Sequence, residues 1–162
     1  MTQNHESACC PPVDVERWQH QTHQWKDKLF IKDTVPQIFH MPLPGQIGKV
    51  ITRMWKKAEA SEAAPELKDF LLLAYDPSPW KSELYMAVTQ PVPDAENTTL
   101  SGTFITKVFD GPFQKVPQYI KEIEAYLKEN DKVPQKYYFY FPTCPKCAKE
   151  TGHHYIIAFA EI

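Results

Sequence analysis

The period of hydrophobic and polar positions changes several times along the chain, and each change marks an element. Between Gln46 and Ala60, Ile47, Val50, Ile51, Met54, Trp55 and Ala58 recur at the spacing of one helix face, leaving Lys49, Arg53, Lys56 and Lys57 to solvent. Val116, Tyr119, Ile120, Ile123 and Leu127 trace a second such face. Strands are expected over Val35 to Met41 and over Asp69 to Tyr75, the latter around the run Phe70-Leu71-Leu72-Leu73. Ser82 to Thr89 alternates, with Leu84, Met86 and Val88 on one face and Glu83, Tyr85, Ala87 and Thr89 on the other. Thr103 to Phe109, Lys136 to Phe141 and His153 to Ala160 complete the strands. Asp76-Pro77-Ser78-Pro79 and Asp110-Gly111-Pro112 read as turns, and Pro142 to Gly152 as a loop.

The element order repeats at a steady offset. Pro42 and Pro112 are 70 positions apart, while Ile51 and Ile120, like Met54 and Ile123, are 69 apart. Equal spacing of matching elements is the mark of an internal duplication. The fold class expected is α+β: duplicated β-α-β-β units forming a mainly antiparallel sheet, with helices on one face and a ligand cleft on the other. Residues 1–28 are expected to form an N-terminal arm anchored by Trp18 and Trp25, seven apart and so on one helical face. Residues 29–162 are expected to form a single domain of two halves, 29–97 and 98–162.

Composition narrows the function. The chain has 162 residues, 43% hydrophobic and 13% aromatic, enough for one domain with a real core. A net charge of -2 argues against a general nucleic-acid binder, which needs clustered Lys and Arg to neutralise phosphates. Residues 1–28 hold no signal-like apolar run, and no stretch approaches the roughly 20 apolar residues of a membrane helix, so the cytoplasm is the expected location. Cys9, Cys10, Cys144 and Cys147 should stay reduced there unless they bind metal or do redox work.

Glu83 is the leading candidate for chemistry. It lies within an alternating strand, on the face opposite Leu84, Met86 and Val88, and Tyr85 shares that face. Trp80 follows the rigid Pro77-Ser78-Pro79 turn, and Tyr138 and Tyr140 share one face of their own strand. A carboxylate among aromatic rings can hold a cation, or act as a general base whose pKa is raised by desolvation. Together these residues would form an aromatic cleft with a single acid. A solvated strand Glu is the plainer alternative, and the aromatic company weighs against it.

At this point the chain resembles a known family. The doubled β-α-β-β order, the segment Ser78-Pro79-Trp80-Lys81-Ser82-Glu83-Leu84-Tyr85 and the restart from Ser101-Gly102-Thr103-Phe104 to Phe109-Asp110-Gly111-Pro112 are similar to the GyrI-like small-molecule-binding proteins. The stand-alone, hydrolase-like bacterial members are the nearest in form, and the resemblance covers about Lys28 to Ile162. It implies an aromatic ligand cleft between the halves with an acid inside. In regulators of the family this domain binds bulky cationic drugs, and some free-standing relatives hydrolyse electrophilic, cyclopropane-bearing toxins. The acid's role carries over to Glu83 alone, as the catalytic group, with Trp80, Tyr85, Tyr138 and Tyr140 holding the ligand. His153-His154-Tyr155 in the second half has no acid, which puts a two-carboxylate mechanism in doubt. No helix-turn-helix segment is expected in the residues ahead of Lys28, so a fused drug-sensing regulator of the usual kind is not the expectation.

The rival is a metal- or thiol-dependent module. Cys144-Pro145-Lys146-Cys147 can present two thiolates to one ion, and zinc is the metal it would suit. A structural zinc site needs two further ligands, for which Cys9, Cys10, His20, His23, His153 and His154 are candidates. A thioredoxin-like role would want the motif opening a helix in a βαβ unit, and its expected place in a loop between two strands speaks against that role. Haem held by His40 or His153 is a third, weaker option, since SOUL-type haem-binding proteins share the doubled architecture. The motifs call for no cofactor beyond these, and no phosphate loop, nucleophile elbow or Walker motif is present. The partner expected is a small-molecule ligand, with no nucleic acid and no membrane.

Overall fold

The computed structural model describes residues 13–39, 41–42, 45–143 and 145–162. Its elements, in chain order, are α1 (Val15–Trp18), β1 (Gln21–Ile38), β2 (Met41–Pro42), α2 (Gln46–Ala60), β3 (Leu72–Ser78), β4 (Lys81–Ala87), β5 (Glu96–Asp110), α3 (Val116–Glu129), β6 (Lys136–Tyr140), α4 (Pro145–Thr151) and β7 (Tyr155–Glu161). Every strand pairing is antiparallel, and neighbours run β2-β1-β4-β3-β6-β7-β5. Pairing of β5 back onto β1, from Gln21↔Thr106 to Lys32↔Glu96, closes six of these strands into a barrel. The α+β class and the antiparallel sheet are as expected, and the open ligand face is not. What would have been that face is the barrel interior.

Closure depends on residues 21–28, which the spacing of Trp18 and Trp25 assigns to an arm. They form the first half of β1 and pair with β5. A bulge sets Lys26 and Asp27 against Ser101 alone, between the pairs Trp25↔Gly102 and Lys28↔Leu100. Asp27 takes a left-handed φ of 50°, and its N–H donates to Ser101 Oγ at 2.8 Å. The extra residue shifts the alternation by one, so Trp25 and Phe30, five apart, both pack against the interior core.

Three apolar cores follow from the two faces of the closed sheet. Inside it pack Phe30, Leu73, Tyr85, Phe104, Tyr138, Tyr140, Ile157 and Phe159, with Trp18 of α1 among them. Outside, Val50, Met54 and Ala58 of α2 cover Ile31, Val35, Leu84 and Met86. On the opposite flank Tyr119, Ile123 and Leu127 of α3 cover Ile105, Phe109, Ile156 and Ala158. Both amphipathic helices bury the stripes read from sequence, at the bounds Gln46–Ala60 and Val116–Glu129.

Two local expectations are corrected. Asp76-Pro77-Ser78 belongs to β3, which kinks between Tyr75 and Ser78 and then pairs Ser78 with Lys81. Much of the 142–152 segment is the helix α4, which Gly152 ends with a left-handed φ of 75°. No described helix is long and apolar enough to cross a membrane.

Candidate functional site

The alternation of β4 and β6 carries Glu83, Tyr85, Tyr138 and Tyr140 to the inner surface of the barrel, opposite the residues that meet α2 and α3. Register then decides their neighbours. Glu83 is paired with Thr34 of β1 on one side and Tyr75 of β3 on the other. Its carboxylate accepts a hydrogen bond from the Tyr85 hydroxyl at 2.8 Å and lies 3.3 Å from Lys32 Nζ. Only 13% of the Glu83 side chain is exposed.

The rings form a connected cluster. Tyr138 meets Tyr85 edge-on with centroids 5.9 Å apart and lies 5.7 Å from Tyr75. Both separations fall within the range of favourable aromatic pairs. Lys136 Nζ sits 3.9 Å from the Tyr75 ring centroid and 4.9 Å from that of Tyr138, while Lys32 Nζ is 5.9 Å from that of Tyr85. Each is a cation–π distance. The cluster therefore runs Lys32, Glu83, Tyr85, Tyr138, Tyr75, Lys136.

Electrostatics correct one expectation about Glu83. Burial alone would push its carboxyl upward, as a desolvated base requires. Hydrogen bonds from Tyr85 and Lys32, with the charges of Lys32 and Lys81, outweigh burial and hold it below the ordinary carboxylate range. Glu83 is thus an ionised, hydrogen-bonded acceptor at neutral pH. Tyr85 moves the other way, its hydroxyl raised by burial and by the adjacent carboxylate. Tyr138 is pushed up to about 12 by burial, then by Glu161, Tyr75 and Glu83.

Glu161 is the second acid that the sequence reading missed. It follows Ile157 and Phe159 on the inward face of β7, pairs across the strands with Lys136, and lies close over Gly102. Lys32, Tyr75 and Lys136 were missed as well. The signal for Lys32 was its place between Phe30 and Thr34, visible only once β1 is recognised as a strand before Val35.

The remaining candidates are placed as follows. Tyr140 is buried two residues along from Tyr138, and its hydroxyl donates to the Phe70 carbonyl at 3.2 Å. Trp80 is not gathered with the others: it is 56% exposed on the β3–β4 hairpin, with its ring 5.0 Å from that of Phe39. Pro145 to Cys147 begin α4 and Cys147 is buried there, so these three residues of the C-P-x-C motif open a helix. The loop position expected for them, with the objection to a thioredoxin-like role drawn from it, is corrected. Cys144, Cys9, Cys10 and His40 lie outside the described residues. His153 Nδ1 meets Asp110 Oδ2 at 2.7 Å on the surface, and the His154 N–H donates to Asp110 Oδ1 at 2.8 Å. His20 stacks on Tyr126, and His23 packs against Trp18. No group of three or more His, Cys, Asp or Glu suited to a metal ion occurs among the described residues.

A family model described as Bacterial hydrolase matches residues 1–162. The chain belongs to this family. No curated protein matches its sequence. Among solved structures, the EcmrR C-terminal domain aligns at a TM-score of 0.63 with 11% identity, over 89% of this chain and 96% of that one. An uncharacterised conserved protein from Listeria innocua aligns at 0.61 with 9% identity, over 88% and 92%. SAV2435, solved bound to tetraphenylphosphonium, aligns at 0.50 with 12% identity, over 88% and 93%. At these identities the likeness is one of fold, and this bacterial hydrolase family member has the GyrI-like fold anticipated from its motifs.

Proposed function

We propose that this chain binds hydrophobic, electrophilic ring compounds at the tyrosine-lined end of the barrel around Glu83 and adds water to them. The observation that carries the proposal is the Glu83 carboxylate, held ionised by Tyr85 and Lys32 among the rings of Tyr75 and Tyr138. Rigid aromatic side chains supply large apolar area for a ligand ring at little entropic cost. The family's description and the phosphonium bound to SAV2435 support a small-molecule ligand in this fold.

For a strained-ring electrophile, the chemistry would divide simply. Water attacks the ring carbon, the strained bond breaks, and its electron pair takes up a proton. Glu83 orients the water and accepts the proton it loses; because its pKa is held low, its contribution falls toward the lower end of the roughly 10² to 10⁴ in rate that a positioned base supplies. Lys32, with its ammonium beside that carboxylate, faces the developing negative charge and supplies the compensating proton. The protein would act in the cytoplasm on a free small molecule. The recurring strand, helix, strand, strand order is read in the same way, as a duplication whose halves now differ chemically.

Aryl epoxides, with styrene oxide as the first probe, test the proposal by following diol formation chromatographically. The parent should form diol above the buffer rate, and Glu83→Gln should lose most of that excess while unfolding at a similar temperature. Equal rates in parent and Glu83→Gln would refute the role of the acid.

A further inference from the structure

The positions that an organic cation would seek in this cluster are already filled. A cation entering an aromatic site needs a π-face and, ideally, a free carboxylate. Glu83 is paired with Lys32 at 3.3 Å. Lys136 stands 3.9 Å over Tyr75 and 4.9 Å over Tyr138, and Lys32 approaches the Tyr85 ring at 5.9 Å. These are the same rings that would hold a ligand.

The charge balance points the same way. Lys32 and Lys81 both act on Glu83, Glu161 acts on Tyr138, and Lys136 lies over that same ring. Glu96 is paired with Lys32 across the strands and Glu161 with Lys136, so among these groups no excess negative charge is left for an entering cation to meet. An entering cation would have to break the Lys32–Glu83 pair and would then sit beside the ammonium groups it displaced. Like charges at such separations, partly shielded from water, repel strongly.

We infer that Lys32 and Lys136 act as built-in cations that turn this site against organic cations and toward neutral or anionic aromatic ligands. Their roles are separable. Lys32 neutralises the acid, and Lys136 covers the ring faces of Tyr75 and Tyr138. An anionic or electron-poor ring would displace the flexible Lys136 ammonium from those ring faces to its own negative edge, keeping the attraction, and leave the Lys32–Glu83 pair intact. The inference rests on the ligand site being the one proposed around Glu83, and it adds the sign of charge that the site accepts.

Tetraphenylphosphonium and tetraphenylborate, nearly equal in size and opposite in charge, make the test direct. Binding of each is measured by tryptophan fluorescence and calorimetry in potassium-free sodium buffer, for the parent, Lys32→Met, Lys136→Met and the double variant, with circular dichroism confirming the fold. Lys136→Gln serves if the methionine form is unstable. The parent should bind the borate at least about tenfold more tightly than the phosphonium, and the double variant should reverse that order. A parent that prefers the phosphonium overturns the inference while leaving a ligand site in place. A preference unmoved by both lysine substitutions overturns it as well. If neither ion binds the folded parent, the inference falls together with the site around Glu83.

Discussion

Tyr85 and Glu83 stand two positions apart on β4, and the tyrosine hydroxyl donates to the carboxylate across 2.8 Å. Residues so spaced on a strand share a face, so the contact is local in sequence. Its consequences are not local. The bond keeps Glu83 charged inside an aromatic barrel, raises Tyr85 in return, and leaves the acid facing Lys32 of another strand.

Tyr85→Phe removes that donor while keeping the ring. A hydrogen bond to a charged group contributes about 1.5–3 kcal/mol, so urea unfolding should show a loss of about that size. The Glu83 pKa should rise, since burial then meets one fewer opposing bond, and carboxyl-carbon NMR titration would record it. In the parent, Glu83 is depressed below its unfolded value of 4.5, so its contribution to stability is complete above that pH. It is lost as pH falls through the folded value. Tyr85→Phe should flatten this acid-side loss.

The alkaline limb has the opposite sign. Burial pushes Tyr138 up to about 12 in the folded chain, against an ordinary value of 10.0. A raised folded pKa gives stability that is whole below pH 10 and drains away as pH climbs toward 12. Denaturant midpoints should fall across that window, together with late tyrosine ionisation seen in the ultraviolet. Tyr138→Phe should remove only its share of the pH dependence, because burial also raises Tyr85, Tyr119 and Tyr137.

Core substitutions should separate the barrel interior from the surface patch. Phe159 is fully buried among Trp18, Trp25 and the other interior rings, and Phe159→Ala should cost about 3–5 kcal/mol. Phe39 is 73% exposed, with a left-handed φ of 47°. Phe39→Ala should change stability by no more than about 0.5 kcal/mol. Chemical denaturation of the two variants side by side checks both.

Two glycines mark close approaches. A Cβ at Gly111 would run into the Tyr119 hydroxyl, which donates to the Pro112 carbonyl. At Gly102, where φ is 143°, a Cβ would come 3.3 Å from Glu161 Oε1. Gly102→Ala should therefore destabilise the barrel by about 1 kcal/mol or more and displace the Glu161 carboxylate. Unfolding curves measure the first effect and carboxyl NMR the second.

What the sequence disclosed of this arrangement followed local periodicity. Strict alternation put Glu83 and Tyr85 on one face of β4, and Tyr138 and Tyr140 on one face of β6. The stripes of α2 and α3 were equally plain. Closure of the sheet was hidden because Lys26 and Asp27 interrupt alternation at the bulge, so Gln21 to Lys28 did not read as strand. Lys32 and Lys136 were hidden for a related reason: their partners lie on other strands, and cross-strand register is not written in spacing. The exposed position of Trp80 also escaped, because its turn continues β3 to Ser78 before the hairpin closes. The short helix α4 was masked by Pro145 and the turn residues around it.

The most direct measurement is of the tyrosine rings themselves. With all eight tyrosines carbon-labelled on the ring and assigned by single substitution, spectra are recorded as tetraphenylborate is added. Tyr75, Tyr85 and Tyr138 should shift together and saturably, while Tyr119, Tyr126 and Tyr155 stay in place. Saturable shifts confined to the latter three, with Tyr75, Tyr85 and Tyr138 unmoved, would contradict a ligand site around Glu83.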